Sequence, residues 1–318
     1  MILPPDRPGA LFGGGPGGQD AGVPEVVHPD VVCQLGAGPR WDAAAGVLRW
    51  ADRDRALLHT APWDGRARRL EVGRRLPLGW TPALSAVLPV GAPPGGLLAV
   101  AGTGLAHLTA RGIRPLLPPL VRPGRTRLND AACDPSGRLW VGAAAADATA
   151  GAGLLLRIDA GGVTRVLTGL TVPGGIGWSP DGRVMYLAEG RPGRITAYAF
   201  DTRRGVPSRP RALVRLDPRE GVPDGLAVDA EGCVWVATWT GRQVRRYSPG
   251  GRLLEALDVP AARVTGCAFA GPALDALVVT TGRVGDDPPP ESGRLFRFAP
   301  GVRGLPARPY LGPLPRSS

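Results

Sequence analysis

One unit recurs six times along this chain of 318 residues, and that recurrence limits the fold more than any other feature. The unit is a Gly-containing turn, often opened by Asp, followed by a short apolar strand ending in a large residue. It spans Asp42–Trp50, Gly95–Val100, Asp134–Val141, Asp181–Leu187, Asp229–Val236 and Asp275–Val279. The strand-end residues Trp50, Val100, Trp140, Tyr186, Trp235 and Val278 are spaced by 50, 40, 46, 49 and 43. Self-similarity of β-type units at such a period is what a propeller requires, since no single blade can bury its own faces. A further strand follows each unit, as in GRITAY (193–198), GRQVRRY (241–247) and GRLFRF (293–298). There apolar residues alternate with Arg, as they should on a strand with one wet face. No segment shows a helical period. The expectation is an all-β chain, a six-bladed β-propeller over residues 25–318.

The segment leading into each unit should form the innermost strand of its blade. Aligned on the small residue that follows, Ala37, Asn129, Gly174, Asp224 and Thr265 take equivalent places, with Thr81 the match in the second unit. Innermost strands surround the axis, so these positions should ring one mouth of the central channel. The last blade should be closed by the segment near 26–34, because closure removes an exposed edge.

Composition enters at three points. Gly 48 and Pro 36 suit many turns, and their concentration in residues 1–24 reads as a flexible tail. The net charge of +11 rests on Arg alone: the chain has no Lys and a single Asn, a bias that fits a GC-rich genome. Arg is scattered and not interleaved with aromatics on one face, which argues against nucleic acid as a partner. Cys33, Cys133, Cys233 and Cys267 form no C-x-x-C pair, and three scattered histidines do not make a zinc site. No apolar run is long enough to span a bilayer, and residues 1–7 do not resemble a secretion signal, so the expected location is the cytoplasm.

The segments LGAGPRWD, TRLNDAACDPSGRLWVG, VPGGIGWSPDGRVMYLAEG and VPDGLAVDAEGCVWVATWTG resemble, in order, the motifs of the regucalcin/gluconolactonase (senescence-marker-protein) family, from about Cys33 to Tyr310. The resemblance implies a six-bladed propeller that opens sugar lactones and related esters with one divalent cation, calcium or zinc. It implies a cation held by a Glu of the first motif, an Asn of an N-G-x-D-W-S motif and the Asp of P-D-G. An Arg and an Asn of R-x-N-D would bind substrate. In this chain Arg127, Asn129, Asp130 and Asp224 are kept, whereas Ala37 replaces the Glu, Gly174 the Asn, and Gly177 the following Asp. Hard cations want several oxygen ligands, so Asp224 alone should bind a divalent ion weakly or not at all.

The resemblance thus makes Asp224 the general base, Arg127 and Asn129 the groups on the carbonyl, and a small-molecule lactone or ester the substrate. The alternative is a propeller that binds a small molecule or regulates without catalysis. Each residue also has a structural reading: an Asx turn for Asn129, surface charge for Arg127, a Pro-Asp-Gly turn for Asp224. Asp130 reads as a turn brace, with Glu189 or Asp130 as substitute ligands should a metal bind. Trp239 could line the mouth or pack between blades. Asp134, Asp181 and Asp229 read as turn residues, and Trp41, Trp140, Trp178 and Trp235 as blade packing. Oligomeric state is left open.

Overall fold

The computed structural model describes residues 24–64, the backbone of 68–71, and residues 83–93, 95–116 and 119–314. The tail expected at the N-terminus falls outside these residues except at its last position, and so does Thr81. Six four-stranded antiparallel sheets form the fold, as the period implied. The innermost strands are Gly36–Asp42, Leu84–Pro89, Thr126–Cys133, Pro173–Trp178, Pro223–Val228 and Arg263–Ala270, in blades 1 to 6. Each recurring apolar run is the second strand of its blade. No helix among the described residues is long and apolar enough to cross a membrane.

Large residues at the second-strand positions fill the space between blades. Trp50, Trp140 and Trp235 are almost wholly buried, and Trp140 meets Trp178 and Phe200 edge-on, as aromatic quadrupoles prefer. Two of the turn aspartates serve two of these tryptophans, while Asp181 holds the Ser179 hydroxyl and the Arg183 N–H of its own turn. Asp134 takes the indole N–H of Trp140 at 3.0 Å and the backbone N–H groups of Ser136 and Arg138. Asp229 does the same for Trp235, Glu231 and Cys233. A buried carboxylate with this many donors is a brace.

The ring closes where the sequence placed it. Glu25–Val27 pairs with Leu295–Phe298 as the outer strand of blade 6. The following residues bind the same blade: Cys33 donates its N–H to Gly293 O at 2.8 Å, and Arg283 donates to Gln34 O at 2.9 Å. Leu35 and Cys33 are buried. A chain lacking residues 1–35 should therefore melt at least ~10 °C below the full chain, since it loses this edge pairing together with buried apolar side chains. An unchanged melting temperature in a thermal scan would contradict this closure.

All six innermost strands break register at the same height. The break leaves out Gly38 and Pro39, then Ser85, Asn129 and Asp130, Gly174 and Gly175, Asp224 and Gly225, and finally Thr265. A β-bulge re-aims side chains, and repeated six times it turns one set toward the axis. The glycines in these bulges are there for close approach: a Cβ on Gly175 would lie 2.1 Å from Leu226 N, and one on Gly225 2.7 Å from Gly266 Cα. The Gly of P-D-G is thus a strand residue against the next blade, and the motif is no turn. By register Ala37 falls one residue before the bulge and Ser85 within it.

After the last blade the chain crosses the far end of the channel. Arg303 O accepts from Ala230 N–H, Gly304 N–H donates to Leu274 O, and Tyr310 bonds Pro89 O and Gly91 N–H, each at 2.8 Å. Leu311 N–H reaches Gly137 O at 2.9 Å. These partners lie at or beside the turns between first and second strands of blades 5, 6, 2 and 3, so the strap spans the face opposite the bulges. Tyr310 is fully buried on it.

Candidate active site

The channel holds a cavity of about 210 Å³ whose lining includes Ala37, Arg53, Asn129, Asp130, Asp224 and Trp239 at the open mouth, and Leu305–Arg308 of the strap at the other end. This volume is below the ~300–1,000 Å³ of sites for drug-sized ligands, which suits a small molecule.

The bulges bring Asn129 and Asp224 together from blades 3 and 5, as their ring positions implied. Asn129 is committed on both sides of its amide. Its NH2 donates to Pro173 O at 2.8 Å, and its Oδ1 accepts from Arg127 Nη1 and Arg53 Nη1, each at 3.1 Å. It therefore holds two guanidinium groups in place and keeps one N–H for another partner. Asp224 differs from the turn aspartates: no described residue donates a hydrogen bond to its carboxylate, which lines the cavity and lies 3.2 Å from where a Cβ of Gly174 would stand. Gly174 does not have a positive φ.

Arg53 could not be singled out from sequence. It is the first residue after the second strand of blade 1, Val47–Asp52, and Trp239 is the first after the second strand of blade 5, Val234–Thr238. The two residues are therefore equivalent, both in turns that border the mouth. That spacing was a signal, but among 38 basic residues it carried no weight. Trp239 does line the mouth, with Arg263 over its ring at 5.7 Å. Asp130 also belongs here: it lines the cavity, with one carboxylate oxygen accepting the N–H of Ala131 at 2.7 Å. Glu189 does not. It is buried away from the cavity, gripped by Arg194 at 2.6 Å and by Thr171 N–H, so it offers nothing to a channel ion.

The electrostatics are those of a tightly coupled group. Burial, and then the charge of Asp130, pushes the Asp224 carboxyl up to about 7, against the pull of Arg53 and Arg127. Burial lifts Asp130 to about 6, opposed by Arg40, the Ala131 N–H and Arg53. Burial and the neighbouring Arg127 lower Arg53 to about 10. A carboxyl whose folded pKa lies above its unfolded value binds more protons when native, so its ionisation costs stability as pH rises. The melting temperature should thus fall between about pH 4 and pH 7, and Asp224→Asn should flatten that fall. An equal slope in wild type and variant would show that Asp224 is not the group responsible.

The donor set does not fit a divalent ion. Of the three ligands that the resemblance implies, only Asp224 offers an oxygen, Ala37 and Gly174 offer none, and a guanidinium stands beside Asn129 and the two carboxyls. Among the described residues, Cys33–Asp52–His59 and Asp229–Glu231–Cys233 could each present three ligand atoms. Neither group lines the cavity. Asp52 already holds the N–H groups of Gln34 and Leu35, and Asp229 those named above.

Comparison with known proteins bears on this geometry. Residues 35–283 match the family described as SMP-30/Gluconolactonase/LRE-like region. The chain is similar to the pentonolactonase XacC of Haloferax volcanii, 34% identical over 287 residues, covering 87% of this chain and 94% of that one. It is 29% identical over 282 residues to regucalcin of Danio rerio, covering 83% and 93%. Among solved structures it resembles a calcium-binding protein, regucalcin, from Agrobacterium tumefaciens, with a TM-score of 0.81 at 27% identity, covering 90% of this chain and 96% of that one.

Proposed function

The chain belongs to the SMP-30/gluconolactonase/LRE-like family, and on that premise we propose that it hydrolyses a small lactone or ester at the mouth lined by Arg53, Asn129 and Asp224. The observation that carries this is the Asp224 carboxylate, which lines the cavity with no described donor upon it, in one lining with the Arg53 guanidinium that Asn129 holds. A carboxylate so placed can take a proton from water. The water oxygen bonds to the carbonyl carbon, and the carbonyl oxygen gains negative charge that the remaining N–H of Asn129 stabilises, while Arg127, which does not line the cavity, holds that amide in place. Collapse breaks the C–O bond to the alkoxide, which takes back the proton held by Asp224. The pentonolactonase relative supports a sugar-acid lactone as the substrate class.

The test is a panel of five- and six-membered sugar-acid lactones, with simple aryl esters as controls, followed by acid release in weak buffer. At least one lactone should be opened with saturation. The rate should climb as pH rises through about 7, because the base must be ionised. Lactones that shift the melting temperature without being opened would favour the binding protein over the hydrolase.

A further inference from the structure

We propose that the Arg53 guanidinium is the resident cation of this mouth, taking the role of a divalent ion and holding the carbonyl oxygen of the substrate. The second half of this statement rests on the hydrolase reading above; the first half does not. Three observations support it.

The first is placement. The backbone of Arg53 is pinned between blades, its N–H on Leu35 O at 2.8 Å and its C=O receiving Leu84 N–H at 3.0 Å. Its position is therefore set by the scaffold, unlike that of a surface Arg. The second is valence. A guanidinium has five N–H donors, and Arg53 gives one to Asn129 Oδ1 while no other described residue accepts from it. The rest are available to a ligand in the cavity. It makes no ion pair among the described residues, although Asp130 and Asp224 lie near enough for their charges to act on it.

The third is compensation. Ala37 on the strand beside it and Gly174 across the channel remove the oxygen ligands that a divalent ion would need, and Arg53 supplies a permanent positive charge in the same mouth. A carboxylate with a divalent ion carries a net charge of about +1, and Ala37 with the Arg53 guanidinium carries the same, so the local charge is kept without the ion. A guanidinium can hydrogen-bond a carbonyl oxygen and the oxyanion formed from it. It cannot acidify a bound water, so proton removal falls entirely to Asp224.

Calcium, zinc and manganese chlorides titrated calorimetrically into the full chain test the first half. Wild type and Ala37→Glu should both bind more weakly than about 1 mM. Ala37→Glu combined with Arg53→Met should bind at least about tenfold tighter than Ala37→Glu alone, because only there is a carboxylate added and the competing cation removed. Should Arg53→Met fold poorly, Arg53→Gln replaces it. Micromolar, one-to-one binding by wild type would overturn the proposal. So would Ala37→Glu binding as tightly with Arg53 as without it. The second half is read on an opened lactone: Arg53→Met should lose about 100-fold in kcat, Arg53→Lys should recover part of it, and a chelator should leave wild type unchanged. Loss of less than threefold in Arg53→Met overturns that half. If no lactone is opened at all, the hydrolase reading fails, while the titrations still decide what Arg53 does.

Discussion

Asp224→Asn should lower kcat for lactone opening by about 10²–10⁴, with KM changed only a few-fold. Removing a general base costs a factor of that order. The amide has the shape of the carboxylate, so it should leave binding intact. The structure makes this a clean substitution because no described residue donates to the Asp224 carboxylate, and so no donor is orphaned. The folded protein should not suffer either. Burial already disfavours the ionised form of this side chain, so replacing it with a neutral group should leave the melting temperature at pH 8 unchanged or raised. The matching control is Asp134→Asn. That residue is buried on Trp140 and two backbone N–H groups, and its loss should lower stability and leave kcat alone. If Asp224→Asn turns over lactone within threefold of wild type, the base is another group, and Asp130, which shares the cavity, is the first to examine.

Tyr310→Ala should destabilise the fold by about 3–5 kcal/mol, the range for deleting a buried aromatic. The melting temperature should drop by roughly 6–15 °C. Tyr310 is fully buried in one cluster with Leu88, Val90, Val141 and Ile158 of blades 2 and 3, and its hydroxyl donates to Pro313 O at 2.8 Å. Its backbone also bonds both sides of the turn at Pro89 and Gly91. The truncation therefore leaves a cavity that the strap, held at both ends, cannot collapse to fill. Tyr310→Phe separates the contributions, because it keeps the ring and should cost only about 1 kcal/mol for the lost hydrogen bond. A drop below ~3 °C in Tyr310→Ala would mean that the strap contributes little to stability. The consequence for function is shape: residues 305–308 line the far end of the cavity, so a loosened strap should also raise KM for the small lactones that the closed channel suits.

Blade number, the closure by the N-terminal segment and the channel positions Asn129, Gly174, Asp224 and Thr265 were readable from the chain, whereas the bulged residue of the second blade, Ser85, was not singled out. They follow from a local pattern repeated six times: a turn, an apolar strand and a bulged inner strand, each of which its own residues specify. The replacement of Glu by Ala37 and of Asn by Gly174 was equally readable, because a motif names its ligands by position. What replaced them was not. Arg53 looks like any other Arg in a chain with 38 basic residues. Only the wrapping of blade 1 against blades 2 and 3 brings its guanidinium to Asn129, 76 residues away in sequence. Glu189 shows the reverse case, a carboxylate in a suggestive motif that folding turns onto Arg194. The strap has no period and no alternation to announce it, since its bonds go to turns of four different blades. Periodic local order is written in the sequence itself. Contacts between distant, non-repeating residues exist only once the ring has closed, and in this protein those contacts supply the charge at the mouth and the floor of the channel.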